Sequence, residues 1–271
     1  MTTIGKTRHP LARDPRGVLH KLDAGDFAHR RMPAPPDLAD CVEHFWRVRW
    51  KLAGLPAQAQ ETLPHPNVNL VVEPGVSAAY GVYSGRWTKV LEGDSQAFGI
   101  KFRPAAFRAF VPHAVSEMAD RAIASATLFG DAAHALDATL ELDDDAACAL
   151  AADFLRARVG APDPQALLAA EIVDSIVDDR ELHTVAQLAE SRGMTVRALQ
   201  RLFGEYVGAS PKWVINRYRI HEAVARVQAG QPVAWAALAQ DLGYFDQAHF
   251  IADFRKLVGQ TPAEYAKAHA R

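Results

Sequence analysis

The chain has 271 residues, 49% hydrophobic and 23% charged, with a formal net charge of -2. That length accommodates two domains with separate cores, and the near-zero balance excludes a chain drawn to nucleic acid by overall charge alone. The two cysteines, Cys41 and Cys148, have no ligand-type spacing and fit a reduced cytoplasmic protein with two buried thiols; no apolar run reaches the ~18–20 residues that span a bilayer, and no signal peptide is read at the N-terminus.

Residues 1–36 hold seven basic residues (Lys6, Arg8, Arg13, Arg16, Lys21, Arg30, Arg31) against three acidic ones, interrupted by five prolines. This reads as a partly ordered leader packing beside the first domain, ahead of the alternative of a basic arm on DNA. From residue 37 to 160 a first domain is expected. Val42–Leu52 alternates with Val42, His44, Trp46, Val48, Trp50 and Leu52 on one face and Phe45 on the other. Val68–Val72, Ser77–Tyr83, Trp87–Leu91 and Gln96–Phe102 follow, separated by Gly or Pro-Gly turns. Five or six strands predict an antiparallel sheet or small barrel, with Phe45, Trp46, Trp50, Tyr80, Tyr83 and Trp87 lining its core or a pocket. At Pro104 the period becomes helical, and Asp131–Leu142 and Asp145–Val159 read as Ala-rich amphipathic helices. Thirteen acidic residues against three basic ones between Asp131 and Glu181 make this face repel DNA.

Gly160-Ala-Pro-Asp-Pro164 marks the linker, residues 161–164. Residues 165–271 then read as an all-α domain of seven helices. The first is about Gln165–Val177. Thr184 caps the second, with Gln187 completing a capping box, and Thr195 caps the third. Ser210-Pro211 opens a long fourth helix of about nineteen residues, stopped by Gly230 with Pro232 beyond. The fifth is about Val233–Asp241, Asp246 caps the sixth, and Thr261-Pro262 opens the seventh.

Within this domain one pattern is written twice. Leu188, Ala189 and Gly193 recur as Leu238, Ala239 and Gly243. After one extra residue in the turn, Leu199, Phe203, Gly208 and Pro211 recur as Phe250, Phe254, Gly259 and Pro262. Each copy, about 184–205 and 234–257, is helix, Gly-containing turn, helix: the helix-turn-helix layout that seats a recognition helix in the major groove. The joining helix, at 1.5 Å per residue, spans roughly 28 Å, close to the ~34 Å of one DNA turn, so one chain can present two recognition helices to successive groove segments. The domain is neutral by count, but Arg192 to Arg219 carries six basic residues against Glu205. In the third helix Arg197, Gln200 and Arg201 lie opposite the apolar Leu199, Leu202 and Phe203, where Arg can read guanine and Gln adenine. In the sixth, Gln247, Ala248 and His249 occupy the first turn.

Residues from about Glu171 to Ala268, above all Gly243-Tyr-Phe-Asp-Gln-Ala-His-Phe-Ile-Ala-Asp-Phe-Arg-Lys-Leu-Val-Gly-Gln-Thr-Pro-Ala-Glu-Tyr265, resemble the DNA-binding domain of the AraC/XylS family of bacterial transcription regulators. Leu63–Glu73, Tyr80-Gly81 and Phe98–Pro104 more loosely resemble the N-terminal domain of a subset of them. The resemblance implies an α+β chain: an antiparallel β-rich sensing or dimerisation domain, then the double helix-turn-helix domain. It implies a cytoplasmic, sequence-specific regulator of transcription acting on double-stranded DNA. Further partners are RNA polymerase, a small-molecule effector and a second copy of the chain; no cofactor, metal or membrane is called for. The family's base-reading positions fall on Arg197, Gln200, Arg201, Gln247, Ala248 and Ala252, while Thr195, His249, Arg255 and Lys256 stand as backbone or base contacts. Ala248 and Ala252 sit where the family usually has longer polar side chains, so the first recognition helix is expected to carry most of the discrimination. An architectural DNA binder without a ligand is the alternative. An enzyme built on His44, His65 and His113 is disfavoured, because none has ligand spacing and no cysteine cluster backs them.

Overall fold

A computed structural model describes residue 19 and residues 24–179, 181–229 and 234–269. It has the expected α+β organisation: an antiparallel sheet domain followed by an all-α domain.

Eight strands form among the described residues: β1 Asp26–Pro33, β2 Val42–Leu52, β3 Gln58–Thr62, β4 Asn69–Glu73, β5 Val76–Tyr80, β6 Trp87–Leu91, β7 Gly93–Phe102 and β8 Ala122–Ala124. They make a six-stranded sheet in the order β1-β2-β7-β4-β5-β8 and a separate two-stranded ribbon, β3-β6. β2 and β6 have the expected bounds. β1, β3 and β8 were not expected. β1 lies inside the stretch read as a leader, and its two arginines serve the domain itself. Arg30 pairs with Asp144 at 2.5 Å, and Arg31 lines a cavity. Lys6, Arg8, Arg13, Arg16 and Lys21 lie outside the described residues.

The large sheet uses its two faces differently. Phe45, Leu70, Val72, Phe98 and Ile100 point to one side and pack on Ala147, Ala151, Phe154 and Leu155 of helix α2, Asp144–Arg156, which follows the short helix α1, Ser125–Phe129. Each such side chain contributes roughly 1.5–3 kcal/mol by leaving water. Arg47 is buried on this face, held by Asp144 at 2.9 Å and by the Thr139 carbonyl at 2.8 Å. Trp46, Val48, Trp50 and Tyr80 lie on the opposite face. A bulge between Val42 and His44 corrects the simple alternation: it turns Val42 to the Phe45 side, away from His44 and Trp46.

The two Ala-rich helices differ from each other. Residues 144–156 form α2, capped by the Asp143 side chain on the Ala146 amide. Gly130–Leu140 forms 3-10 turns instead of an α-helix, and its last carbonyls are drawn off by Arg47 and by Gln96, which donates to Leu140 O at 2.8 Å. The helix expected at Pro104 is also 3-10, Ala106–Phe110. Cys41 and Cys148 are half-buried free thiols, and burial raises the pKa of both, Cys148 to about 11.

The second domain has seven α-helices among the described residues. These are α3 Pro164–Asp178, α4 Val185–Ser191, α5 Val196–Tyr206, α6 Pro211–Gln228, α7 Trp235–Asp241, α8 Gln247–Val258 and α9 Pro262–His269. α3 starts where Pro164 fits the first turn and Asp163 caps the Gln165 amide. The stop signals at Gly230 and Pro232, and Val233 of the fifth helix, lie outside the described residues. Leu188, Leu199, Phe203 and Val214 share a core with Ile172 and Val173 of α3. Leu238, Phe250, Phe254 and Tyr265 share another with Val224 of α6 and with Leu19 and Leu63 from the first domain. No described helix is long and apolar enough to cross a membrane.

Candidate nucleic-acid interface and the adjoining pocket

The sequence repeat is a repeat of geometry. Gly193 has φ +60°, with its amide on Glu190 O at 3.0 Å and the Met194 amide on Ala189 O at 2.9 Å. Gly243 has φ +71°, with its amide on Gln240 O at 2.8 Å and the Tyr244 amide on Ala239 O at 2.9 Å. Both turns therefore need the left-handed conformation that glycine adopts without strain. Thr184 and Gln187 form the capping box that opens α4. Thr195 caps α5 through the Ala198 amide, and Asp246 caps α8 through the His249 amide at 2.8 Å. Ser210 opens α6 by accepting from the Trp213 amide, and Thr261 opens α9 with Glu264 closing a capping box.

The extra residue in the second turn is Phe245, and it is 95% exposed. The sequence reading passed over it. Its signal was available: the insertion puts a large apolar residue outside the helical period, beside the first turn of α8.

Every residue expected to read bases is exposed. Arg197, Gln200 and Arg201 stand on one face of α5, while Leu199, Leu202 and Phe203 are buried on the other. Gln247, Ala248 and Ala252 are exposed on α8, opposite the buried Phe250 and Phe254. Thr195, His249, Arg255 and Lys256 are exposed as well. The His249 ring stands edge-on to Tyr244 at 5.3 Å and lies 3.9 Å from Asp253.

The local basic surface is smaller than charge counting gave. Arg217 is fully buried. It donates to Ser84 O at 2.5 Å and Gly85 O at 3.3 Å, and its guanidinium lies 4.4 Å from the Trp213 ring. Burial lowers its pKa to about 10. Arg219 is half-buried between the two copies, 3.0 Å from His183 Nδ1 and over the Tyr244 ring at 6.0 Å. A Cβ at Gly243 would run into the His183 ring. The first copy thus abuts the turn of the second, which fixes the two recognition helices relative to each other.

On the free face of the large sheet, the ribbon β3-β6 roofs a cavity of about 260 Å³. Trp46, Trp50, Tyr80, Tyr83 and Trp87 line it, so these aromatics belong to a pocket, whereas Phe45 lies in the core on the other face. His44, buried, and His65 both line it; His65 stacks on His221 of α6 at 3.7 Å, and His113 is exposed elsewhere. The described residues contain no group of three or more His, Cys, Asp or Glu able to hold a metal ion.

The pocket walls reach the helical domain. The loop after β5, lined by Gly81 and Tyr83, presents the carbonyls that Arg217 of α6 binds, and Trp213 Nε1 donates to Ser84 O at 3.1 Å. Arg86, at the start of the roof, donates to Glu61 of β3 at 3.2 Å and to Val258 O, at the end of α8, at 3.3 Å.

With these features in place, comparison with known proteins gives the class. Residues 188–268 match a helix-turn-helix domain family, and residues 30–124 match a domain of unknown function, DUF6597. The chain is 32% identical over 75 residues to the HTH-type transcriptional activator RhaS of Pectobacterium atrosepticum, covering 28% of this chain and 26% of that protein. It is 29% identical over 84 residues to an uncharacterised HTH-type transcriptional regulator of Haemophilus influenzae, covering 31% and 28%. The chain thus spans about a quarter of the length of these curated relatives. Among solved structures it is similar to a transcriptional regulator with an AraC-type DNA-binding domain from Chromobacterium violaceum, at 24% identity and TM-score 0.34 over 37% of this chain and 90% of that one. The C-terminal part of the chain thus carries a helix-turn-helix domain.

Proposed function

We propose that the chain is a cytoplasmic, sequence-specific regulator of transcription. Helices α5 and α8 enter successive major-groove segments of one DNA site, and occupancy of the pocket controls how they bind. The observation that carries the reading is the duplicated turn geometry, which leaves Arg197, Gln200, Arg201 and Gln247 exposed on two helices joined by one. The joining helix α6 has 18 residues, about 27 Å at 1.5 Å each, against ~34 Å for a DNA turn. Arg197 and Arg201 supply guanine contacts and Gln200 an adenine contact. Ala248 and Ala252 offer only apolar contact to thymine methyls, as does Phe245 at the edge of the groove. Thr195, His249, Arg255 and Lys256 set register on the phosphates.

Control by a ligand is supported by the two bridges from pocket to reader: Arg217 on the loop carbonyls and Arg86 on the end of α8. A ligand that favours one position of the roof shifts the helical domain by its differential affinity for the two positions. A second copy of the chain and RNA polymerase are the remaining partners of this reading. Nuclease footprinting with fragments selected from genomic DNA tests it. The expected result is protection of two adjacent major-groove segments by one chain, lost with Arg197→Ala plus Arg201→Ala. Binding that ignores sequence would leave an architectural DNA binder instead.

A further inference from the structure

The pocket is polarised, and its polarity specifies a chemical class. Strand register fixes the floor: Arg31 stands opposite Trp46, Trp46 opposite Gly99, and His44 opposite Lys101, which in turn faces Asn69. His29 lies one inward-facing position from Arg31 on β1, facing Val48. One end of the cavity therefore gathers Arg31, Lys101 and His44, with Asn67 and Asn69 beside them. Glu43, 3.1 Å from Lys101, offsets part of that charge from outside the lining. Lys89 and Glu73 pair with each other between roof and floor. Towards the other end Trp50, Leu91 and Phe27 are apolar. Between them the Trp46 indole covers Gly99, where a Cβ would collide with its Cε2, Cζ2 and Nε1. Its Nε1 is tied to Asn69 Oδ1 at 3.4 Å, which holds the ring as a platform.

We propose that the pocket binds a planar aromatic carboxylate, with its ring on Trp46 and its carboxylate among Arg31, His44 and Lys101. A planar guanidinium suits a carboxylate because it can donate two parallel hydrogen bonds. A flat indole suits an offset-stacked ring. The cavity lies near the small end of ligand sites, which fits one or two fused rings better than a long chain. An aromatic wall alone would equally suit a quaternary ammonium, but the cationic pole opposes one.

This proposal rests on the reading of the pocket as a sensor, and the test separates the two. The full chain is titrated calorimetrically and by thermal shift with 2-naphthoate, its neutral amide 2-naphthamide, and 2-naphthylmethylammonium. Naphthoate is expected to bind at least tenfold more tightly than the amide, and the ammonium more weakly still. Arg31→Met should remove the preference for acid over amide while leaving amide binding within about twofold; Trp46→Leu should weaken both acid and amide. Circular dichroism of each variant checks that it folds. Equal binding of acid and amide, or tighter binding of the ammonium, overturns the carboxylate class and leaves a sensor of another ligand. Silence from all three probes overturns the aromatic proposal, while footprinting still reports independently on the DNA reading. Naphthoate binding unchanged in Arg31→Met overturns the placement.

Discussion

The two helix-turn-helix copies share their turns but differ in what holds them. The first packs on α3 and on the 3-10 turns of the sheet domain: Arg108 bonds Glu205 at 2.8 Å, and a Cβ at Gly208 would press on Val115. The second shares its core with Leu19 and Leu63, and the end of its recognition helix is bonded to the pocket roof through Arg86. The copies also differ in what they expose: Arg-Gln-Arg on α5, against Gln247 with two alanines on α8 and a bare Phe245 in the turn before it. On the proposed function, the difference is a division of labour, in which the first copy reads and the second responds.

The largest expected effects come from the matched core residues. Phe203→Ala and Phe254→Ala, both at fully buried sites, should each cost on the order of 3–5 kcal/mol. In hydrogen exchange, only Phe254→Ala should also deprotect the roof strands β3 and β6. Deprotection of the roof by both variants would erase the distinction. Next, Arg197→Ala or Arg201→Ala should each cost about 1–3 kcal/mol of discrimination at one base pair of the selected site, and Gln247→Ala less. A larger loss from Gln247→Ala, read by competition with single-base variants of the site, would reverse the order of the readers. Arg86→Ala should cost about 1 kcal/mol of stability and change the footprint only in the half covered by α8. Equal weakening of both halves would mean that the roof grips the pair as one body.

The smallest effect is on pH dependence, and it sharpens which side of the molecule responds. Burial, with Lys101, Arg31 and His29 near it, lowers the His44 pKa to about 3 despite the opposing pull of Glu43; burial and Arg31 lower His29 to about 4. The unfolded chain, with histidines near 6.5, binds protons in that interval that the folded chain refuses. Stability is therefore full above about pH 6.5 and declines as pH falls towards these folded values. His44→Gln should flatten part of that decline in thermal unfolding scans. Bound naphthoate should flatten it too, by favouring protonated histidine. A decline unchanged by both would place its origin elsewhere.

Much of this was legible in the sequence, for identifiable reasons. Seven helices were readable because their starts are written in capping side chains such as Thr184, Thr195, Ser210 and Asp246, and both turns in a glycine with positive φ. β2 was readable from its alternation, apart from the bulge after Val42, which no period reveals. β1 and β3 were missed because they are polar and short of β-branched residues: DFAHRRMP and QAQET look like loop until a partner strand satisfies their backbone. Arg217 was misplaced because counting charge cannot tell an arginine that faces DNA from one buried on carbonyls 132–134 residues away in the chain. For the same reason the pocket aromatics were found, but not sorted from Phe45: sidedness depends on what covers each face.

Gly99 has a consequence for genetics. It leaves no room beneath Trp46, so a lone methyl added there must lift the indole towards the cavity. An alanine at this position is a built-in stopper. It is small enough to keep the strand and, on the proposed reading of the pocket, suited to making an allele deaf to its signal but still literate.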